Sequence, residues 1–116
     1  MLLTLCKSKI HRVRITKKVL DYHGSIGVDK VLMKAANMLP NEKVQVVNLA
    51  NGSRLETYCM EEEEHSGMIS LYGPAARLGE VGDPVIIISY AGLDAEEAKN
   101  WNPKVVHVDE KNHIKK

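Results

Sequence analysis

From Ile10 to Thr16 the sequence IHRVRIT alternates, with His11, Val13 and Ile15 on one side and Arg12 and Arg14 on the other, which predicts a half-buried strand. Carried back through LLTLCKSK, that strand is long. Further on, VDKVLMKAANML puts Val28, Leu32, Ala35, Ala36 and Leu39 at helical spacing until Pro40 closes the pattern, which predicts the one substantial helix. EKVQVVNLA and RLETYCM read as two strands joined at Asn51-Gly52, a pair that favours the positive φ values of a tight hairpin. The acidic run at 61–64 reads as a solvated loop or strand end, because adjacent like charges cannot share a core. GMISLYG supplies a short strand before a Gly-Pro turn, GEVGD a further turn, and VIIIS the most apolar strand. Asp94 and Glu97 form a variant capping box for a short helix DAEEAKNW, and KVVHVD is a last strand. Short strands with frequent turns predict a single mainly β domain over residues 1–116, a compact barrel or sandwich with short helices.

Composition narrows the partners. Sixteen Lys and Arg against fifteen Asp and Glu leave a net charge of +1, and the aromatic residues are four Tyr and one Trp, so neither a basic groove nor a stacking platform for nucleic acid is expected. The apolar runs are far too short to cross a membrane and the N-terminal segment is too short for a signal peptide, which predicts a cytoplasmic protein. Cys6 and Cys59 stand far apart and read as free thiols. The five histidines are scattered without ligand spacing, so no metal site is assigned.

Signatures such as GxGxxG, HExxH and GxSxG are absent. The polar cluster RLETYCM sets Arg54, Glu56 and Tyr58 on one strand face and Leu55, Thr57 and Cys59 on the other. A cation and a phenol side by side could bind and protonate an anion; equally, they could form an ordinary cross-strand pair. Gly24-Ser25 on its own reads as a turn.

The order of segments resolves both ambiguities. KIHRV at 9–13, Tyr22 with Gly24-Ser25, the Asn51-Gly52, Arg54 and Thr57-Tyr58 positions, GPAAR at 73–77, GDPVIIISY at 82–90 and EEA at 96–98 together resemble aspartate 1-decarboxylases over nearly the whole chain. The resemblance implies a small double-psi β-barrel that assembles as a homotetramer, with active sites between subunits. It implies a proenzyme that cleaves itself between Gly24 and Ser25 into 1–24 and 25–116, unaided or with a maturation factor. Ser25 Oγ would attack the Gly24 carbonyl to form an ester. Elimination and hydrolysis would then leave a covalent pyruvoyl group, with neither pyridoxal phosphate nor a metal. Gly24 suits that attack because it has no side chain to block it, and Ser25 supplies both nucleophile and ketone carbons.

By the same resemblance, the pyruvoyl carbonyl forms a Schiff base with L-aspartate, and loss of carbon dioxide gives β-alanine for pantothenate and coenzyme A synthesis. Tyr58 would donate the proton to the carbanion carbon. Thr57 would contact substrate and, with His11, serve processing. Arg54 would pair with a substrate carboxylate through its planar fork, Lys9 would support the site, and Gly73, Pro74 and Ala75 would line it. Two positions depart from the family's Asn-Gly-Ala-Ala-Ala: Tyr72 replaces the Asn, and Pro74 replaces the first Ala with a residue that lacks an N–H. His23, beside the scissile bond, is either a base or an exposed turn residue. The rival reading, a non-catalytic or poorly processed barrel acting as a binding or assembly subunit, is opposed by Ser25, Arg54, Thr57 and Tyr58 occurring together. Because Thr57 and Tyr58 fall on opposite faces, a twist, a bulge or a site between subunits is needed to bring both to one place.

Overall fold

The computed structural model describes residues 1–115. Its elements are β1 (Leu2–Arg14), β2 (Lys17–Val19), β3 (Ser25–Asp29), α1 (Lys30–Ala35), β4 (Lys43–Asn48), β5 (Arg54–Glu62), β6 (Ile69–Tyr72), a 3-10 helix (Gly73–Arg77), β7 (Pro84–Asp94), α2 (Ala95–Lys99) and β8 (Lys104–His107). The strands pair in the order β2-β6-β3-β5-β4-β7-β1-β8. Since β1 and β2 are separated by only Ile15 and Thr16, the first strand of that order is brought back to the seventh and the sheet rolls into a barrel. Thr16 N–H bonds to the Ile69 carbonyl and Gly82 N–H to that of Ile15, both at 2.8 Å, along this seam. β1/β8, β2/β6 and β3/β5 are parallel; the other neighbours are antiparallel.

The long N-terminal strand forms as the alternation predicts, with one correction. Its pairing with β7 shifts once between Cys6↔Tyr90 and Ser8↔Ser89, runs on to Ile10↔Ile87 and resumes at Val13↔Val85, so His11 and Arg12 together face one position. This bulge, with Arg12 at φ +65°, shifts the period by one. Ser8, Ile10, Val13 and Ile15 are therefore the buried row, and His11, expected to share a face with Val13, is only half-buried.

The predicted helix is shorter than its periodicity. Val28 belongs to β3, and Asp29, 1% exposed, ends that strand and caps α1 by accepting from Val31 N–H at 2.9 Å. The same carboxylate accepts from the N–H groups of His65 at 3.1 Å and Gly67 at 2.8 Å, tying the helix start to the loop after the acidic run. Asn37 at φ +57° ends the helix, which leaves Leu39 exposed and not on its buried face.

The β4/β5 hairpin forms, and of its two turn residues only Gly52 takes positive φ, at +76°. Inward residues of every strand but β2, among them Ile10, Ile26, Val44, Ile69 and Ile87, close the core together with Leu32 of α1. Each such side chain contributes about 1.5–3 kcal/mol on burial. Asp94 accepts from Glu97 N–H at 2.8 Å and caps α2 as predicted, though the helix stops at Lys99. Among the described residues no helix is long and apolar enough to cross a membrane. Both cysteines are free; burial foremost, and then the Glu42 carboxylate, push the Cys59 thiol up to about 11, which makes it inert.

Candidate active site

All of β3 is buried, because the strand is enclosed in the sheet between β6 and β5 and covered on both faces. Ser25, its first residue, is 4% exposed and pairs directly with Tyr72. On the other side, the parallel pairing with β5 starts at Ile26↔Cys59. Gly24-Ser25 immediately precede Ile26 and Thr57-Tyr58 immediately precede Cys59, so both pairs stand where that pairing begins. β5 carries no bulge at Thr57 and Tyr58 in its pairing with β4, whose register is unbroken from Lys43↔Tyr58 to Val47↔Arg54.

The turn after β6 closes on this peptide. Gly73 sits at φ +67°, and a Cβ there would lie 2.9 Å from Gly24 Cα, Gly24 N and the Tyr22 carbonyl oxygen. A side chain would strain the turn and drive the Gly24 backbone away. Pro74 opens the 3-10 helix, where the helix does not need its missing N–H, and its Cδ lies 3.5 Å from where a Gly24 Cβ would be. Ala75, 6% exposed, continues the same wall. Ser25, Gly24, Thr57, Tyr58 and the 73–75 turn are thus gathered at one end of β3.

Lys9, His11 and Arg54 are not part of that group. Arg54 starts β5, four residues before Tyr58 and so about 13 Å along the strand. It is exposed and shares the outward face with Glu56 and Tyr58, as predicted, and its Nη2 lies 3.5 Å from Gln45 Oε1. Glu56 pairs with Lys43 at 3.1 Å, and both line an open cleft of about 380 Å³ with Gln45 and Tyr90. Lys9 and His11 lie on β1, which pairs with β7 and β8 and not with β3 or β5. His11 stacks edge-on against His107 at 5.6 Å, and its Nδ1 is buried without a partner. Burial first, then the neighbouring His107, Lys9 and Arg12, lower its pKa, which favours the neutral imidazole. His23 is exposed and packs only its ring edge against Tyr22, at 5.7 Å.

Comparison with known proteins gives the arrangement its context. The family model described as aspartate decarboxylase matches residues 1–115. The chain belongs to the aspartate decarboxylase family. It is 57% identical over 116 residues to an aspartate 1-decarboxylase of Carboxydothermus hydrogenoformans, covering 100% of this chain and 91% of that one. To the protein of the same name from Acetivibrio thermocellus it is 60% identical over 114 residues, covering 98% and 90%. Among solved structures, the computationally designed msDPBB_sym2 protein superposes with a TM-score of 0.51 at 14% identity, covering 75% of this chain and 99% of that one, which identifies the fold as a double-psi β-barrel. The family and the fold expected from the motifs are both borne out, and the non-catalytic alternative is not favoured.

Relative to the Asn of the aspartate decarboxylase family pattern, Tyr72 turns to a partner the sequence reading missed. Its hydroxyl donates to Glu62 Oε2 at 2.7 Å, and Ser70 Oγ donates to the same oxygen at 2.6 Å. Burial foremost, and then this carboxylate, hold the Tyr72 phenol above its ordinary range. Glu62 lies within the acidic run expected to be solvated, yet it is half-buried across β3. One available signal was Gly27 in the middle of a strand, a position that marks close approach of another group.

Proposed function

We propose that the chain is a proenzyme that cleaves itself between Gly24 and Ser25 into 1–24 and 25–116 and then decarboxylates L-aspartate to β-alanine and carbon dioxide. The observation that carries this reading is the packing of Gly73, at φ +67°, directly on the Gly24 backbone, with Ser25 buried beside it. A turn that tolerates no side chain against a glycine-serine peptide fits a site built to hold that peptide for attack by the neighbouring hydroxyl.

In cleavage, Ser25 Oγ attacks the Gly24 carbonyl carbon and the Ser25 nitrogen leaves as an amine, giving an ester. Loss of the Ser25 α-proton expels the Gly24 carboxylate, and water then replaces the nitrogen, which departs as ammonia. The remaining pyruvoyl group supplies an electrophilic carbonyl that takes the substrate amine and accepts the electrons released with carbon dioxide. Thr57 polarises the Gly24 carbonyl during processing and later contacts substrate. Tyr58, midway along β5 and 38% exposed, donates the proton that completes β-alanine. Gly73, Pro74 and Ala75 wall the pocket.

Arg54 and Lys9 bind substrate carboxylate and His11 supports processing, and these three come from a neighbouring subunit of a tetramer. Their distance from Ser25 along the strands of one chain and the exposure of Tyr58, Met60 and Tyr90 favour a covered face of this kind. The reaction belongs in the cytoplasm, where it feeds pantothenate and coenzyme A synthesis.

The test is Ser25→Ala. Intact mass should show one uncleaved chain, and β-alanine formation should vanish, because both the nucleophile and the source of the ketone are gone. Appearance of a 25–116 fragment from that variant would refute the assignment.

A further inference from the structure

Glu62 lies on the same face of the sheet as Ser25. A Cβ on Gly27 would stand 2.6 Å from Glu62 Oε2 and 2.8 and 2.9 Å from its Cδ and Cγ, so the carboxylate occupies the space that Gly27 leaves open. Ser25 opposes Tyr72 and Gly27 opposes Ser70 in the antiparallel β3/β6 ladder. Directly opposed residues point to one face, so Ser25, Gly27, Ser70 and Tyr72 share it, and the Glu62 carboxylate, reaching back from the Asp29↔Glu62 pair to Gly27, lies about 7 Å along β3 from Ser25. The Tyr72 ring starts level with Ser25 and its hydroxyl ends on Glu62. Its flank packs on the Tyr22 ring at 4.9 Å, with Lys17 Nζ 5.9 Å from its centroid.

We propose that Glu62 is a positioning residue for the Ser25 site, acting through Tyr72: its carboxylate draws the phenol along β3 toward Gly27 and holds the ring as a fixed wall beside Ser25. This rests on the reading of Ser25 as the catalytic position. A tyrosine next to the nucleophile has more than one staggered rotamer, and without the tether some of them sweep the space a substrate must enter. With the tether, the replacement of the family's small amide by a large ring leaves the pocket open. Ser70, buried and donating to the same oxygen, fixes the carboxylate in turn.

The prediction is a rise in KM without a matching fall in kcat. Glu62→Ala should raise KM for aspartate by about three- to tenfold, the scale of one hydrogen bond's net contribution, with kcat little changed. Glu62→Gln keeps an acceptor for the phenol and should restore a near-parental KM. Tyr72→Phe, which lacks the hydroxyl, should raise KM as Glu62→Ala does, and the double variant should go no higher. An unchanged KM in Glu62→Ala, or effects that multiply in the double variant, would overturn the proposal. An independent readout uses the uncleaved Ser25→Ala chain, in which the ultraviolet titration of Tyr72, identified by its loss in Tyr72→Phe, should move to lower pH when Glu62→Ala is added. A titration that does not move also overturns the tether. A parental chain that makes no β-alanine would instead remove the decarboxylase reading, and the phenol titration would still decide whether Glu62 holds Tyr72.

Discussion

Gly73→Ala isolates the contact on which the cleavage site depends. Two costs add at this position. An L-residue held at φ +67° costs about 1–2 kcal/mol. The new methyl would also lie 2.9 Å from three backbone atoms of Tyr22 and Gly24, none of which can rotate away as a side-chain tip could. Overpacking of that kind costs about 1–3 kcal/mol. Gly52→Ala is the matched control, since Gly52 has φ +76° with nothing within 4 Å of a Cβ, and it should bear the conformational cost alone. At about 4 °C per kcal/mol for a domain of this size, Gly52→Ala should lose about 4–8 °C and Gly73→Ala about 8–20 °C. Melting is measured in the Ser25→Ala background, so that every sample is one uncut chain. With Ser25 present, the displaced Gly24 carbonyl should slow fragment formation by up to about a hundredfold, the scale of a misplacement near 1 Å. Gly52→Ala should cleave normally. Cleavage of Gly73→Ala at the parental rate, or a melting loss no larger than that of Gly52→Ala, would refute the reasoning.

Tyr58→Phe should separate the two reactions: mass spectra show 25–116 forming normally while β-alanine production falls roughly hundredfold, the scale for losing a positioned general acid. Full β-alanine production in that variant would remove the phenol from the chemistry. Glu42 carries a pH prediction. Burial alone would raise its pKa, but hydrogen bonds from Lys7, at 2.8 Å, and from Ser89 outweigh this and hold it below the ordinary 4.5. A depressed carboxylate stabilises the fold above the unfolded value and loses that contribution as pH falls through the folded one. Melting temperature below about pH 4.5 should therefore drop more steeply in the parent than in Glu42→Gln, and parallel curves would show that Glu42 is not linked to folding.

What the sequence made legible was periodic or local. The β4 and β5 strands, Asp94 as a cap and Gly52 in the hairpin all follow from residue type and spacing, and the order of motifs identified the family. The β1 bulge was not legible, because Ile10, His11, Val13 and Ile15 satisfy alternation in either of two phases and only pairing with β7 chooses between them. The helix was overread because Val28, Leu32 and Ala36 are all buried, but Val28 is buried in a strand. Residues 24, 25, 57 and 58 flank the start of a parallel pairing between strands far apart in sequence, which no local pattern announces. Glu62 was hidden by its own neighbours: three flanking glutamates made a run that reads as solvent-facing, and only the missing side chain of Gly27 gives it a place.

The path of β1 has a consequence for the molecule's history. Residues 1–24 contain β1, which is inserted between β7 and β8, and β2, which pairs with β6, while Asn112 bonds both the N–H and the carbonyl of Arg14 at 2.8 Å. A cut after Gly24 therefore severs the covalent link without freeing the short piece, which stays woven into the middle of the sheet. Before the cut, the whole chain can unfold and refold as one body at any dilution. After it, the two pieces must find each other. Covalent connection keeps chain ends at an effective concentration of about millimolar, so at micromolar protein its loss disfavours reassembly by about a thousandfold, or ~4 kcal/mol. The proposed cleavage would thus turn a fold that can be remade in isolation into one whose persistence depends on never coming fully apart.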